Sequence, residues 1–345
     1  MSTSKVQVLI VEDSPSVQLL LKKIITEDPH MNVCGVVSDG KEAVEFIQRN
    51  SPDVITMDIM MPKMNGIDAT KMIMMENPTP IVVISAKYSK EDVKTGFEAI
   101  EAGAVSILEK PPGMKDPSFQ MIAANIRKTV RSVAGIKVMT RRPHLMKDRE
   151  APKLFPRASR IEAIAIGCSL GGPQALQNVL ENLPDSFPIP IFVVQHIADG
   201  FGEGFIEWMD KSVPLNVITP SEGEAPKGGY VYIAPDDKHM IVTKQQKISI
   251  VDSAPVSGLK PSVSLLFSSF SQSYGENALG ILLTGMGADG SKELLSMHQQ
   301  GAVTIAQNEE TCIAYGMPGS AVKIGAVKHI LSLDEISDYL LSLGK

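Results

Sequence analysis

Cysteine is scarce: Cys34, Cys168 and Cys312 are the only three in 345 residues. An odd number without CxxC or His/Cys ligand spacing excludes a disulfide framework and a zinc site, and it implies a reduced, cytoplasmic setting. Long apolar runs are missing as well. Stretches such as 164–166 and 191–194 fall far short of the roughly 18 residues that a membrane span requires. The opening MSTSKVQVLIVEDS meets acids soon after its apolar run and lacks a small-residue cleavage site, so it reads as a first strand and not a signal peptide. Aromatics make up only 5% of the chain, and charge of either sign only 21%. With 43% apolar residues and a mean hydropathy of +0.06, the composition is that of a globular enzyme or regulator, neither disordered nor fibrous. The length suggests two domains, since single cores stop growing at roughly 250 to 300 residues.

Basic residues are the minority, 33 against 39 acidic, for a formal charge of −6. They are unevenly placed. Between Arg127 and Arg160 eleven basic residues face two acidic ones, a local +9 that leaves −15 for the rest of the chain. The middle of this stretch, 140–158, carries Pro143, Pro152 and Pro156 and shows no sustained period, so it reads as a linker. It is either a solvated tether or a docking segment for an acidic surface. No aromatics are interleaved as base-stacking platforms and the flanking domains are acidic, so nucleic acid is not an expected partner.

Before the linker, β-rich runs at 6–11, 32–37, 53–57, 80–85 and 104–108 alternate with amphipathic stretches such as 17–26 and 42–49. Five strands with intervening helices predict a parallel α/β sheet, whose functional residues gather beyond the C-terminal strand ends. Those ends carry Glu12 and Asp13, Asp58 (in ITMDIMMPKMNG), Ser85 (in VVISA) and Lys110 (in LEKPP). Carboxylates on one rim offer hard oxygen ligands for Mg²⁺. Asp58 is then placed to attack a phosphoryl donor, with Lys110 offsetting charge and Ser85 hydrogen-bonding a phosphoryl oxygen.

After the linker, a strand at 163–166 runs into Gly167-Cys168-Ser169-Leu170-Gly171-Gly172, followed by a helix at about 173–181. Such a turn either binds a nucleotide phosphate at the helix N-terminus or presents a serine Oγ, as G-x-S-x-G turns do. Downstream residues decide. A strand at 189–195 ends in His196, and one at 278–284 opens onto GMGADG with Asp289, so Ser169, His196 and Asp289 all sit just past strand ends. This is a nucleophile, a base and an orienting acid, in a chain order that differs from that of α/β-hydrolases. The glycines around Met286 free backbone N–H groups for an oxyanion hole, with Met286 N–H the leading candidate. His239 is expected near the site; His30, His144, His298 and His329 are expected on the surface. Cys168 reads as packing, not as the nucleophile, and the 18 methionines as core filling.

These motifs carry two family resemblances. Residues 5–125 resemble the receiver domain of two-component response regulators. The resemblance implies phosphorylation of Asp58 by the histidine kinase of a chemotaxis system, with Mg²⁺ held by Asp13, Asp58 and the carbonyl of Met60, and Glu12 supporting through water. Many receivers carry an aromatic switch three residues before the lysine; here that residue is Ile107. IGCSLGGPQAL, VVQHI, GYVYIAPDDKHM, LKPSVSLLF, ILLTGMGADG and IAQNEETCIAYGMPGSA resemble the catalytic domain of the chemotaxis protein-glutamate methylesterase family. That implies a cytoplasmic enzyme that hydrolyses γ-glutamyl methyl esters on methyl-accepting chemoreceptors, releases methanol and deamidates certain receptor glutamines. It would reach the membrane through receptors only. The resemblance carries over Ser169 as nucleophile, His196 as base and Asp289 as third member, with no cofactor at the esterase site. Where the family flanks its serine with a small residue and Thr, this chain has Cys168 and Leu170.

The implied fold is two doubly wound parallel-sheet α/β domains joined by a basic linker: a flavodoxin-like receiver over 1–125, the linker over 126–159, and a Rossmann-like methylesterase domain over 160–345. The unphosphorylated receiver is expected to cover the Ser169 rim until phosphoryl charge on Asp58 shifts that population. Two alternatives stand beside this reading: a methylesterase-like paralogue acting on a non-chemotaxis methylated protein, and a non-enzymatic response regulator.

Overall fold

A computed structural model describes residues 5–85, 90–136 and 161–344 of the chain. The chain divides into two compact units, Met1–Lys147 and Asp148–Lys345. The proline-bearing stretch at 140–158 and His144 lie outside the described residues.

The first unit alternates β1 (Val6–Val11), α1 (Pro15–Thr26), β2 (Met31–Val37), α2 (Gly40–Ile47) and β3 (Val54–Met57). It continues through α3 (Gly66–Glu76), β4 (Ile81–Ser85), α4 (Lys90–Glu101), β5 (Ser106–Glu109) and α5 (Phe119–Val133). The strands β3 and β4 are mostly apolar and buried on both faces, as parallel strands between helical layers must be. All four pairings are parallel, in the order β2-β1-β3-β4-β5. The order reverses between β1 and β3, so the crevice beyond their C-terminal ends collects Glu12, Asp13 and Asp58.

The helix α5 does not stop at the expected boundary of 125. It continues to Val133, because Ile126, Thr129, Val130 and Val133 recur at helical spacing and are buried. Two of the basic residues assigned to the linker are thereby engaged within this unit. Arg127 pairs with Glu27 at 2.8 Å and Arg131 with Asp28 at 3.2 Å. Composition suggested a linker where periodicity specified a helix. The methionines divide likewise: Met60, Met75, Met114 and Met121 are exposed and fill no core.

The second unit begins with β6 (Ala163–Cys168), α6 (Gly172–Leu180), β7 (Ile191–Gln195), α7 (Gly202–Ser212), β8 (Asn216–Ile218) and β9 (Tyr230–Ile233). A hairpin, β10 (His239–Val242) and β11 (Ile248–Val251), precedes α8 (Val263–Ser273) and β12 (Ala278–Leu282). The unit closes with α9 (Ser291–Gln299), β13 (Val303–Gln307), α10 (Met317–Lys323), β14 (His329–Leu331) and α11 (Leu333–Leu343). Seven strands form one parallel sheet in the order β14-β13-β12-β6-β7-β9-β8, and β10 and β11 pair antiparallel outside it. The first strand, β6, lies at the centre with β7 on one side and β12 on the other, so this sheet too reverses at its first strand. Phe192, Tyr232, Phe267 and Phe270 fill the core between the sheet and α8, all fully buried. Among the described residues no helix is long and apolar enough to cross a membrane.

One glycine shows how tightly the first rim is built. A Cβ on Gly66, the first residue of α3, would overlap the carbonyl oxygen of Asp58. Helix propensity alone favours Gly66→Ala by about 1 kcal/mol. The contact with backbone makes the opposite sign the expected one, a loss of about 1–3 kcal/mol. Urea unfolding of the variant checks this, and a gain in stability would refute the close approach.

Candidate functional site

In the second unit the strand register does most of the positioning. Parallel pairing sets Cys168 beside Gln195 on one side of β6 and Gly167 beside Leu282 on the other. One residue further along, His196 N–H donates to the Cys168 carbonyl (2.9 Å) and Ser169 N–H donates to the Thr284 carbonyl (3.0 Å). The three turns that follow β6, β7 and β12 are thus stitched together at the point where Ser169 leaves the sheet. A Cβ on Gly285 would come within 2.8 Å of the Ser169 Cβ, so only glycine lets the following loop lie this close to the serine.

His196 Nε2 lies 3.0 Å from Asp289 Oδ2, and the two side chains are only 12% and 2% exposed. Because the carboxylate accepts, Nε2 carries the proton, which leaves Nδ1 as the lone-pair nitrogen. Asp289 is itself anchored. Its Oδ1 accepts from Ser262 Oγ and Ser264 N–H (both 3.1 Å) and its Oδ2 accepts from Val263 N–H (2.8 Å), so the carboxylate caps the N-terminus of α8 from another part of the chain. Burial acts to raise its pKa, but the His196 ring and the Ser264 and Val263 donors outweigh it and hold the carboxyl down at about 2. Asp289 therefore stays ionised at any working pH.

Among the described residues Ser169 Oγ makes no hydrogen bond, to His196 or otherwise, and Met286 N–H has no acceptor. Ser169, His196 and Asp289 are brought to one rim with the His–Asp pair joined and the Ser–His pair open, an arrangement common in catalytic sites before a substrate closes the geometry. Cys168 is fully buried, its Sγ 3.7 Å from the Val194 carbonyl, and desolvation pushes its thiol well above the ordinary value, the behaviour of a packing residue. His239 is fully buried behind Asp289, 3.2 Å from Ser262 N. His30 is exposed as expected, whereas His298 and His329 are half-buried, the former with Nδ1 3.3 Å from Thr304 Oγ1.

Several polar residues escape a sequence reading. Gln195 Nε2 donates to the carbonyls of both Ser169 (2.8 Å) and His196 (2.7 Å). Gln307 Oε1 accepts Thr284 N–H (2.7 Å), and Thr284 Oγ1 donates to the Leu170 carbonyl (2.9 Å). The hydroxyl that Leu170 lacks is thus not needed to tie down its own backbone. The available signal was a buried amide closing an apolar strand, as in VVQHI and TIAQN.

On the first rim Glu12 and Asp58 are buried and Asp13 is exposed, and the three offer ligand oxygens within 4.8 Å of one another. Lys110 Nζ lies 2.8 Å from Asp58 Oδ2 and 3.0 Å from Glu12 Oε2; Asp58 Oδ1 accepts Ile59 N–H at 2.8 Å. Burial raises the Asp58 carboxyl, and it does so despite Lys110. It raises Glu12 as well, assisted by the Asp58 charge. Lys110, which burial alone would depress, is held up by the two carboxylates. This hard, over-negative oxygen set suits Mg²⁺. Ser85 is buried at the end of β4, its carbonyl accepting Lys110 N–H at 2.9 Å, while Met60 lies exposed two residues past Asp58. Ile107 packs against Gly96 of α4 in place of an aromatic.

Comparison with known proteins gives a separate match to each unit. The family model for the response regulator receiver domain matches residues 8–116, and that for CheB methylesterase matches residues 164–340. The chain belongs to the CheB methylesterase family. It is 44% identical over 342 residues to protein-glutamate methylesterase/protein-glutamine glutaminase 4 of Geobacter metallireducens, covering 98% of this chain and 99% of that protein. A similarly named protein of Syntrophus aciditrophicus is 42% identical, covering 98% of each. The crystal structure of the Thermotoga maritima CheB methylesterase catalytic domain superposes with a TM-score of 0.51 at 33% identity, over 54% of this chain and 100% of that one.

Two outcomes follow from the electrostatics. A carboxyl held at about 2 instead of 3.8 contributes about 2 kcal/mol of stability at roughly 1.4 kcal/mol per pH unit. Because the folded value is depressed, that contribution is complete above pH 4 and vanishes as pH falls through 2. The stability difference between the parent and Asp289→Asn should therefore shrink by about that amount from pH 5 to pH 2; a pH-independent difference would refute the assignment. On the other rim, millimolar Mg²⁺ should raise the thermal midpoint of the parent and leave that of Asp58→Asn nearly unmoved. Equal shifts would sink the carboxylate set as a cation site.

Proposed function

We propose that this chain hydrolyses γ-glutamyl methyl esters on chemoreceptors, releasing methanol, and deamidates receptor glutamines to glutamate, with activity raised by phosphorylation of Asp58. The observation that supports it best is the His196–Asp289 pair beside Ser169, in a chain whose relatives bear the name methylesterase/glutaminase along their full length.

Ser169 Oγ attacks the γ-carbonyl carbon while its proton passes to His196 Nδ1, the nitrogen left free by the Asp289 contact. The carbonyl oxygen becomes an oxyanion against Met286 N–H. Collapse of the intermediate breaks the bond to the methoxy oxygen, which leaves as methanol with the proton from His196. Water then attacks the acyl-serine through the same base, giving the glutamate carboxylate and restoring Ser169. A glutamine amide follows the same path and loses ammonia, since either substrate presents one carbonyl to polarise. Asp289 remains ionised throughout and stabilises the imidazolium.

On the receiver, Glu12, Asp13 and Asp58 with the Met60 carbonyl would hold Mg²⁺, which supplies positive charge against phosphoryl oxygens. Asp58 accepts the phosphoryl group from the histidine kinase, Lys110 balances the added charge and Ser85 hydrogen-bonds a phosphoryl oxygen. The unphosphorylated receiver restrains the catalytic unit, in the cytoplasm where receptor methylation sites lie.

The test is methanol release from methyl-labelled receptor membranes, with and without a small phosphodonor, beside an unrelated methylated protein. The parent should act on receptor and accelerate with the phosphodonor. Asp58→Asn should lose the acceleration, and Ser169→Ala should fall at least about 10³-fold. Parental turnover by Ser169→Ala would overturn the site, and equal action on the unrelated protein would overturn the substrate.

A further inference from the structure

His239 opens β10 and is fully buried, yet none of the steps above uses it. Both ring nitrogens are engaged. Nδ1 lies 3.2 Å from the backbone nitrogen of Ser262, which can only donate, so Nδ1 carries no proton; Nε2 carries it and lies 3.3 Å from the Ala254 carbonyl oxygen. The ring is a strut between the hairpin and the connection that leads into α8. Ser262 is the N-cap position of that helix, itself fully buried, and its Oγ donates to Asp289 Oδ1. A chain of hydrogen bonds thus runs from His239 through Ser262 and Asp289 to His196.

We propose that His239 is a positioning residue for the Ser169 site: by accepting Ser262 N–H it aims the first turn of α8 at Asp289, and so fixes the His196 ring. The proposal rests on the Ser169, His196, Asp289 reading. An apolar side chain of similar size fills the same space but leaves the Ser262 N–H buried without an acceptor. The first turn of α8 must then shift to find one, and it carries all three of the donors that α8 aims at Asp289. Misplacement by about 1 Å behind a reacting centre is enough to cost about 10²-fold in rate. A residue that only filled the core would change stability and leave the balance of kcat and KM alone.

Steady-state hydrolysis of methyl-labelled receptor by the full chain separates these roles. His239→Leu should lower kcat at least tenfold with KM within twofold. His239→Asn, whose side-chain oxygen can take the same N–H, should recover most of that loss. Combining His239→Leu with Ser262→Ala should lose no more than the worse single variant, because both act through one path. A smaller loss in kcat, an Asn variant as damaged as Leu, or losses that multiply would each overturn the proposal. Should His239→Leu fail to fold, His239→Met, which also lacks an acceptor oxygen, is compared with His239→Asn: kcat lowered at unchanged KM in the Met variant alone supports the proposal, and equal kcat in the two overturns it. Ser169→Ala is assayed in parallel. Parental activity there would overturn the site reading itself, whereas an inactive Ser169→Ala beside a fully active His239→Leu would overturn the role of His239 only.

Discussion

The carboxylate of Asp289 serves two structures at once. It caps the first turn of α8 through Ser262 Oγ, Val263 N–H and Ser264 N–H, and it accepts a hydrogen bond from His196 Nε2–H. A carboxylate offers about four lone-pair directions, and here four donors occupy them. Nothing remains to let the group swing, so the imidazole has one orientation and one tautomer. The positive end of the helix macrodipole adds to the stability of the ionised form. Remove the helix cap and the histidine loses its partner; remove the carboxylate and α8 loses its cap.

Around that contact the parallel sheet supplies alignment by register. Ser169 sits between His196 and Thr284 because β6 pairs with β7 and β12 and all three run the same way. Side-chain amides then brace the turns. Gln195 holds the carbonyls of Ser169 and His196, and Gln307 holds Thr284, whose hydroxyl reaches Leu170. Among the described residues Ser169 Oγ, Met286 N–H and Gln195 Oε1 are left without a partner. Turns braced in this way, beside a serine hydroxyl that stays open, have their order placed where a ligand does not have to supply it.

What could be read from the chain was whatever repeats along it. Apolar runs ending in Glu12, Asp58, Ser169, His196 or Asp289 announce parallel strands and the chemistry at their tips, because strand ends are local in sequence. The partners of those tips are not. Nothing near Asp289 announces that residues 262–264 will cap it, since that contact is a helix terminus finding an acceptor from a distant loop. His239 was placed near the site by its motif, but its bonds to Ser262 and Ala254 depend on how the hairpin packs on α8. The hairpin itself lacks the periodic helix-strand rhythm that made the main sheet legible. At 126–133 the error ran the other way: basic composition masked three apolar residues and Thr129 at helical spacing.

The two rims use one topological device and opposite electrostatics. Each sheet reverses direction beside its first strand, and each crevice collects acidic residues from the turns beyond. In the receiver, Glu12, Asp13 and Asp58 face a single Lys110, and burial drives the Glu12 and Asp58 carboxyls up. Such a site holds more negative charge than its own residues neutralise, so it gains from a cation and is sensitive to whatever anion arrives with it. In the catalytic unit a single carboxylate meets three donors at a helix terminus and a histidine, and its pKa falls to about 2. The charge of that carboxylate is met by donors already in place. The difference lies in what the acids were given as neighbours: other acids on one rim, where binding is the event, and fixed N–H and O–H groups on the other, where a proton must move while the acid stays still.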